Sequence, residues 1–177
     1  MGAECWASSP VVERTCAEGV RFDEVAVSDP DATNAMRAYF GELHARFEGG
    51  FDLGDTLALD AASMRPPHGS FLLARSTKNS TIACGGLQPL EAHTGEIKRM
   101  WVSPDWRGLG IGAQLLSHLE LVASRLGHRM VRLDTNSALV EAIAMYERAG
   151  YRSIARYNDN PYAQRWFEKS LELEANE

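Results

Sequence analysis

The chain has 177 residues, 45% of them hydrophobic and 24% charged, the balance of a soluble globular protein with one sizeable core. Its net charge is -6 and its 18 basic residues are scattered, which argues against a nucleic-acid-binding surface. No apolar run approaches a membrane span, and the opening MGAECWASSP lacks the basic and apolar regions of a secretory signal, so a cytoplasmic location without membrane contact is expected.

Residues 1–19 show no hydrophobic periodicity and are expected to form a loose arm, with residues 20–177 as a single domain. VRFDEVAV, Val20 to Val27, alternates as a half-buried strand does. In SDPDATNAMRAYFGELHARF, Ser28 or Asp29 is placed to cap a helix and Pro30 suits its first position. Met36, Tyr39, Phe40, Leu43 and Phe47 then form its apolar face. Gly49, Gly50 and Gly54 break the pattern, DTLALDAASM reads as a short second helix, and RPPHG as a turn.

SFLLARS, TIACGGLQPL and GEIKRMWV follow as strands joined by TKNS and EAHT, segments of hairpin length, which predicts an antiparallel meander. Beyond SPDWRGLG, Leu115, Leu116, Leu119, Val122, Ala123 and Leu126 recur at helical spacing up to Gly127. MVRLDTN, LVEAIAMYERAG, YRSIARY and AQRWFEKSLEL complete the chain as strand, helix, strand and strand. Cys5, Cys16 and Cys84 match no zinc or redox spacing; Cys84, in TIACGGL, reads as a small buried hydrophobe. His44, His68, His93, His118 and His128 show no ligand spacing either, so no metal is expected.

The three glycines of RGLGIG, Gly108, Gly110 and Gly112, stand between a strand ending near Val102 and a helix beginning near Gly110. Bare backbone permits unusual dihedrals and lets another group come close. The first helical turn leaves N–H groups unpaired and carries about half a positive charge, so the stretch forms an anion cradle with Arg107 at its lip. A phosphate or pyrophosphate is the expected guest. The P-loop is excluded because no lysine follows the glycines, and the dinucleotide fingerprint because the spacing is G-x-G-x-G in mid-chain.

RGLGIG matches the acetyl-coenzyme A motif of the GNAT superfamily, [Q/R]-x-x-G-x-[G/A], at Arg107, Gly110 and Gly112. EIKRMWVSPDW before it resembles that family's fourth strand, and AIAMYERAGY after it resembles the A-x-x-x-Y-x-x-x-G-[FY] segment. The chain is thus identified as a GNAT-like N-acetyltransferase, and its tail, YNDNPYAQRWFEKSL, resembles a small bacterial subgroup. The resemblance implies an α/β fold with a mixed, mostly antiparallel twisted sheet, split in a V between the fourth and fifth strands and flanked by helices.

The activity it implies is acetyl transfer from acetyl-coenzyme A to a primary amine of a small molecule, in a monomer or homodimer. Acetylation of a protein amino terminus or lysine, or cofactor binding by a regulatory module without chemistry, are the alternatives. The cofactor site implied comprises Met100, Trp101 and Val102 on the fourth strand, and Arg107, Gly108, Leu109, Gly110, Ile111, Gly112 and Ala113 in the turn. Glu96 matches the position of a general base and Tyr146 that of the acid which protonates the leaving sulfur. By period-two counting Glu96 shares a strand face with Val102. Leu139 stands where many members carry Asn, so Asn136 is the substitute candidate for a cofactor contact. His68 and Asp159 are candidates on the acceptor side, where Asp159, Glu42 and Glu48 would favour a small cationic amine.

Overall fold

In a computed structural model, which describes residues 19–171 other than 48, 53 and 55, the chain runs from β1 (Arg21–Val25) into α1 (Pro30–Arg46). The Asp29 carboxylate caps α1 by accepting the N–H of Asp31 at 2.8 Å and that of Ala32 at 3.4 Å, and Pro30 occupies the first turn, where no N–H is needed. After α2 (Thr56–Ser63) come β2 (Ser70–Arg75), β3 (Thr81–Glu91) and β4 (Thr94–Val102), the expected meander. Then follow α3 (Ile111–Arg125), β5 (Met130–Thr135), α4 (Val140–Arg148), β6 (Arg152–Ser153) and β7 (Arg165–Ser170). Residues 1–18 of the expected arm, Cys5 and Cys16 among them, and Glu48 lie outside the described residues.

The seven strands form one sheet in the order β1-β2-β3-β4-β5-β7-β6. Every pairing is antiparallel except β4 with β5. That parallel pair is joined only over Thr94–Met130, Gly95–Val131 and Glu96–Arg132; beyond it the two strands part. Side chains of α3 and α4 pack one face of the sheet, where Leu115, Leu116 and Leu119 are fully buried with Ile82 and Leu133. Burial of each such leucine is worth about 1.5–3 kcal/mol, so the inner face of α3 holds its N-terminus firmly beside the split. Met36, Phe40 and Leu43 of α1 pack the other face with Phe71, Leu73, Cys84 and Met64.

Two local departures from the sequence pattern matter for the site. In β4 one extra residue enters between Lys98 and Trp101, opposite the stretch Cys84 to Gly86, and Arg99 takes a φ of 59° there. Such a bulge reverses the alternation beyond it. Trp101 therefore packs with the α1 side and Val102 with the α3 side, while Glu96 faces the α1 side beside Gln88. Glu96 and Val102 thus lie on opposite faces, against the period-two expectation. The strand expected over YRSIARY shrinks to Arg152–Ser153, because the chain leaves the sheet to bring Tyr157 and Asn158 onto the polar faces of β4 and β5.

Candidate active site

The parted ends of β4 and β5 leave an opening bordered by the N-terminus of α3, by α4 and by α1. Ser103 donates its N–H to Ile82 O of β3 at 2.8 Å. Backbone groups alternate along a strand, so the N–H and C=O of Val102 turn away from β3 into the split. The carbonyl of Val102 accepts Arg107 Nε at 3.0 Å. No side chain caps α3, whose cap residue Gly110 has a φ of 79°. Gly108 has a φ of 76°, and a Cβ at either glycine would meet nothing within 4 Å. These two glycines serve an αL backbone and leave it uncovered. Gly112 has a different reason: its Cβ would stand 3.0 Å from Met145 Sδ of α4, a contact tight enough that the methionine would have to shift.

A cleft of about 560 Å³ runs along this cradle, bordered by Met100, Trp101 and Val102, by Arg107, Gly108 and Gly110–Ala113, and by Met145 and Tyr146 of α4. A smaller chamber of about 80 Å³ adjoins it on the α1 side, lined by Lys98, Arg99, Asp134, Asn160 and Tyr162 among others. Tyr39, Leu43, Met100, Leu139, Ala142 and Tyr146 border both spaces. They form the junction, the border that the two spaces share.

Tyr146 is 6% exposed, with its ring 5.9 Å from that of Tyr151 and 6.1 Å from that of Phe167. Burial, then the charges of Tyr39 and Asp134, push its pKa up, so the phenol carries its proton at neutral pH. Burial likewise lifts Tyr39 to about 12. Burial pushes the Cys84 thiol up as well, and its Sγ lies against Arg99 O at 3.6 Å, which fits the buried hydrophobe expected of it.

Several expected site residues take other places. Leu109 packs into the hydrophobic core beneath the turn and its side chain does not border the cleft. The guanidinium of Arg107 folds back onto Glu42 of α1, which also pairs with Arg46 at 3.0 Å and accepts Trp101 Nε1 at 3.2 Å. Glu42 is thereby engaged and is no free anchor for a cationic acceptor. Asn136 borders the chamber and not the cleft, donating to Tyr162 O at 2.8 Å and accepting Ala138 N–H at 2.9 Å. His68 is exposed on a turn, and Asp159 is fully exposed and paired with Arg156 at 2.9 Å; neither borders the two spaces.

Glu96 is 3% exposed and also borders neither space. Its Oε1 accepts Tyr157 Oη at 2.9 Å, Asn158 Nδ2 at 3.2 Å and Lys98 Nζ at 3.3 Å, and its Oε2 accepts Gln88 Nε2 at 2.7 Å. The carboxylate that lines the chamber is instead Asp134 of β5. The sequence carried a signal for it: Arg132, Asp134 and Asn136 alternate with the buried Val131 and Leu133, a polar face on a strand inside the sheet. Among the described residues no group of His, Cys, Asp or Glu is arranged to hold a metal, and no helix is long and apolar enough to cross a membrane.

Comparison with known proteins agrees with this architecture. The profile of the Acetyltransferase (GNAT) family matches residues 33–151. An uncharacterized N-acetyltransferase of Schizosaccharomyces pombe is 32% identical over 111 residues, 62% of this chain and 68% of that one. The IAA acetyltransferase of Azospirillum brasilense is 34% identical over 94 residues, 52% of this chain and 61% of that one, so the match spans less than two thirds of its length. Among solved structures, a GNAT family acetyltransferase of Elizabethkingia anophelis with acetyl-CoA bound superimposes with a TM-score of 0.63 at 18% identity, covering 87% of this chain and 99% of that one.

Proposed function

The chain belongs to the GNAT acetyltransferase family and is an acyltransferase, and from that premise we propose that it moves an acetyl group from acetyl-coenzyme A to the primary amine of a small molecule, by direct attack with both substrates bound. The observation that carries this reading is the junction of the two spaces at Tyr146 and Met100. The larger space suits the cofactor. Uncapped amides and the positive end of α3, over glycine backbone that no side chain covers, favour a pyrophosphate. The unpaired edge of β4 beyond Glu96 suits an amide-bearing arm added like a strand.

Acetyl-coenzyme A supplies an activated thioester; the chain supplies orientation and two polar hydrogens. The N–H of Val102, turned into the split, is placed to donate to the carbonyl oxygen as it gains charge. The amine nitrogen bonds to the carbonyl carbon, the carbon–sulfur bond breaks, and the Tyr146 hydroxyl passes a proton to the sulfur. An acceptor that arrives as an ammonium loses two protons through the polar groups of the chamber: the first, passed to solvent, frees the lone pair that attacks, and the second, shed after attack, restores the Tyr146 hydroxyl, so the products are amide, thiol and one solvent proton. Glu96, saturated with donors and set back from both spaces, is given a supporting role toward Lys98 and Tyr157 instead of direct proton abstraction.

The test is release of free thiol from acetyl-coenzyme A in the presence of polyamines, aminoglycosides, amino acids or short peptides, with the N-acetyl product identified by mass spectrometry. Amine-dependent release with a small-molecule product is expected. Acetylation of peptides alone would redirect the reading to a protein acceptor. Cofactor binding without turnover by any amine would leave a regulatory module.

A further inference from the structure

The segment Tyr157–Asn160 does not border the cofactor cleft, yet the side chains of Tyr157, Asn158 and Asn160 converge on two carboxylates of the sheet. Asn160 Nδ2 donates to Asp134 Oδ1 at 2.9 Å, and Asn158 Nδ2 donates to both Asp134 Oδ2 and Glu96 Oε1. The opposite end of Asn158 is fixed, its Oδ1 accepting Trp166 Nε1 at 3.0 Å. Lys98 Nζ lies between the carboxylates, 3.3 Å from Glu96 Oε1 and 3.8 Å from Asp134 Oδ2. One lysine thus faces two acids, and the cluster is short of one positive charge.

The two acids differ in access and in what they already hold. All four contacts of Glu96 are satisfied within the protein, and it borders neither space. Asp134 lines the chamber and is 9% exposed, with one neutral amide donor on each oxygen and the lysine at longer range. A carboxylate has about four lone-pair sites, so it retains acceptor capacity. Its charge also acts on the Tyr39 and Tyr146 phenols at the junction, behind the larger effect of burial on each.

We propose that Asp134 anchors the acceptor in the chamber as an ammonium, which sheds one proton before its nitrogen attacks, with Asn158 and Asn160 as positioning residues that aim the carboxylate. The inference rests on the acetyltransferase reading and adds the residue and the charge state by which the acceptor is recognised. A cationic nitrogen supplies the charge the cluster lacks, and a charge-assisted hydrogen bond in a confined site is stronger than a neutral one. It also moves the source of cation preference from Asp159, Glu42 and Glu48 to a carboxylate inside the chamber.

The test needs no knowledge of the acceptor. S-(2-aminoethyl)-coenzyme A carries an ammonium just beyond the sulfur, and S-ethyl-coenzyme A is its neutral counterpart. Calorimetry with the full chain should find the aminoethyl analogue bound about tenfold more tightly. Asp134→Asn should abolish the preference while keeping affinity for the ethyl analogue, and Asp159→Asn should retain it. If Asp134→Asn fails to bind the ethyl analogue, Asn160→Ala serves instead, with a reduced preference at unchanged ethyl affinity. No preference in the wild type, or a preference that survives Asp134→Asn or is undiminished in Asn160→Ala, overturns the proposal. Failure of both analogues to bind the wild type overturns the cofactor reading, and this proposal with it.

Discussion

Asp60→Leu is expected to be among the most destabilising single substitutions beside the chamber. Asp60 of α2 holds Arg99 through two hydrogen bonds, Nε to Oδ2 at 2.7 Å and Nη2 to Oδ1 at 3.1 Å. The side chains are 14% and 4% exposed, so water screens the pair little. The guanidinium has a second, weaker partner in the Phe40 ring, whose centroid lies 5.5 Å away. Removing the acid alone strands a buried charge at the bulge of β4, at a cost of about 3–5 kcal/mol. Replacing both members with apolar groups of similar size, Asp60→Leu with Arg99→Met, should recover most of that loss. Urea unfolding of the four proteins of the cycle, compared at equal m-value, reads both numbers. A loss under about 1 kcal/mol for Asp60→Leu, or a double variant no more stable than the single one, would refute the assignment of this pair as a buried, mutually dependent unit.

Tyr146→Phe should lower kcat by about a hundredfold, the lower range for loss of a general acid, while acetyl-coenzyme A affinity stays within about twofold of wild type; steady-state thiol release and calorimetry measure the two separately. Glu42→Gln should lose stability on the alkaline side only. Burial works to raise the Glu42 pKa, but Arg107, Arg46 and the Trp101 N–H outweigh it and hold the carboxyl below the usual carboxylate range. A depressed carboxylate stabilises the fold above its unfolded pKa, about 4.3, and that contribution disappears as pH falls through the folded value. Thermal midpoints of the two proteins should therefore begin to approach one another as pH falls below about 4.3 and meet once it lies below the folded value, and a gap that stays constant through acid unfolding would contradict the assignment.

Elements whose signals are local were legible in the sequence. Asp29 and Pro30 announce α1 because capping involves neighbours in the chain, and the glycines of RGLGIG announce the turn because αL backbone selects them. The split sheet followed from the resemblance, which also singles out Tyr146 as the candidate acid. What was not legible depends on partners distant in sequence. The bulge at Arg99 reverses the face of everything after it in β4, and nothing local marks it, since its guanidinium partner Asp60 is 39 residues away. The sequence puts Arg107 at the lip of the cradle, but Glu42, 65 residues earlier, draws its guanidinium to α1. Asp134 and Asn158 come together only when the chain after β6 leaves the sheet, and the run of polar residues in YNDN gave no indication of which carboxylates it would meet.

Titration of acetyl-coenzyme A into the wild type and Gly110→Val, followed by calorimetry, tests the central claim that the cradle at the start of α3 receives the cofactor. Gly110 has a φ of 79°, which costs an L-residue roughly 1–2 kcal/mol, and a β-branched side chain there either forces the turn to rearrange or stands over the exposed amides. Saturable binding at one site per chain is predicted for the wild type, with affinity at least tenfold weaker in a variant that still unfolds cooperatively. Absence of binding by the wild type, or equal affinity in the folded variant, would contradict it.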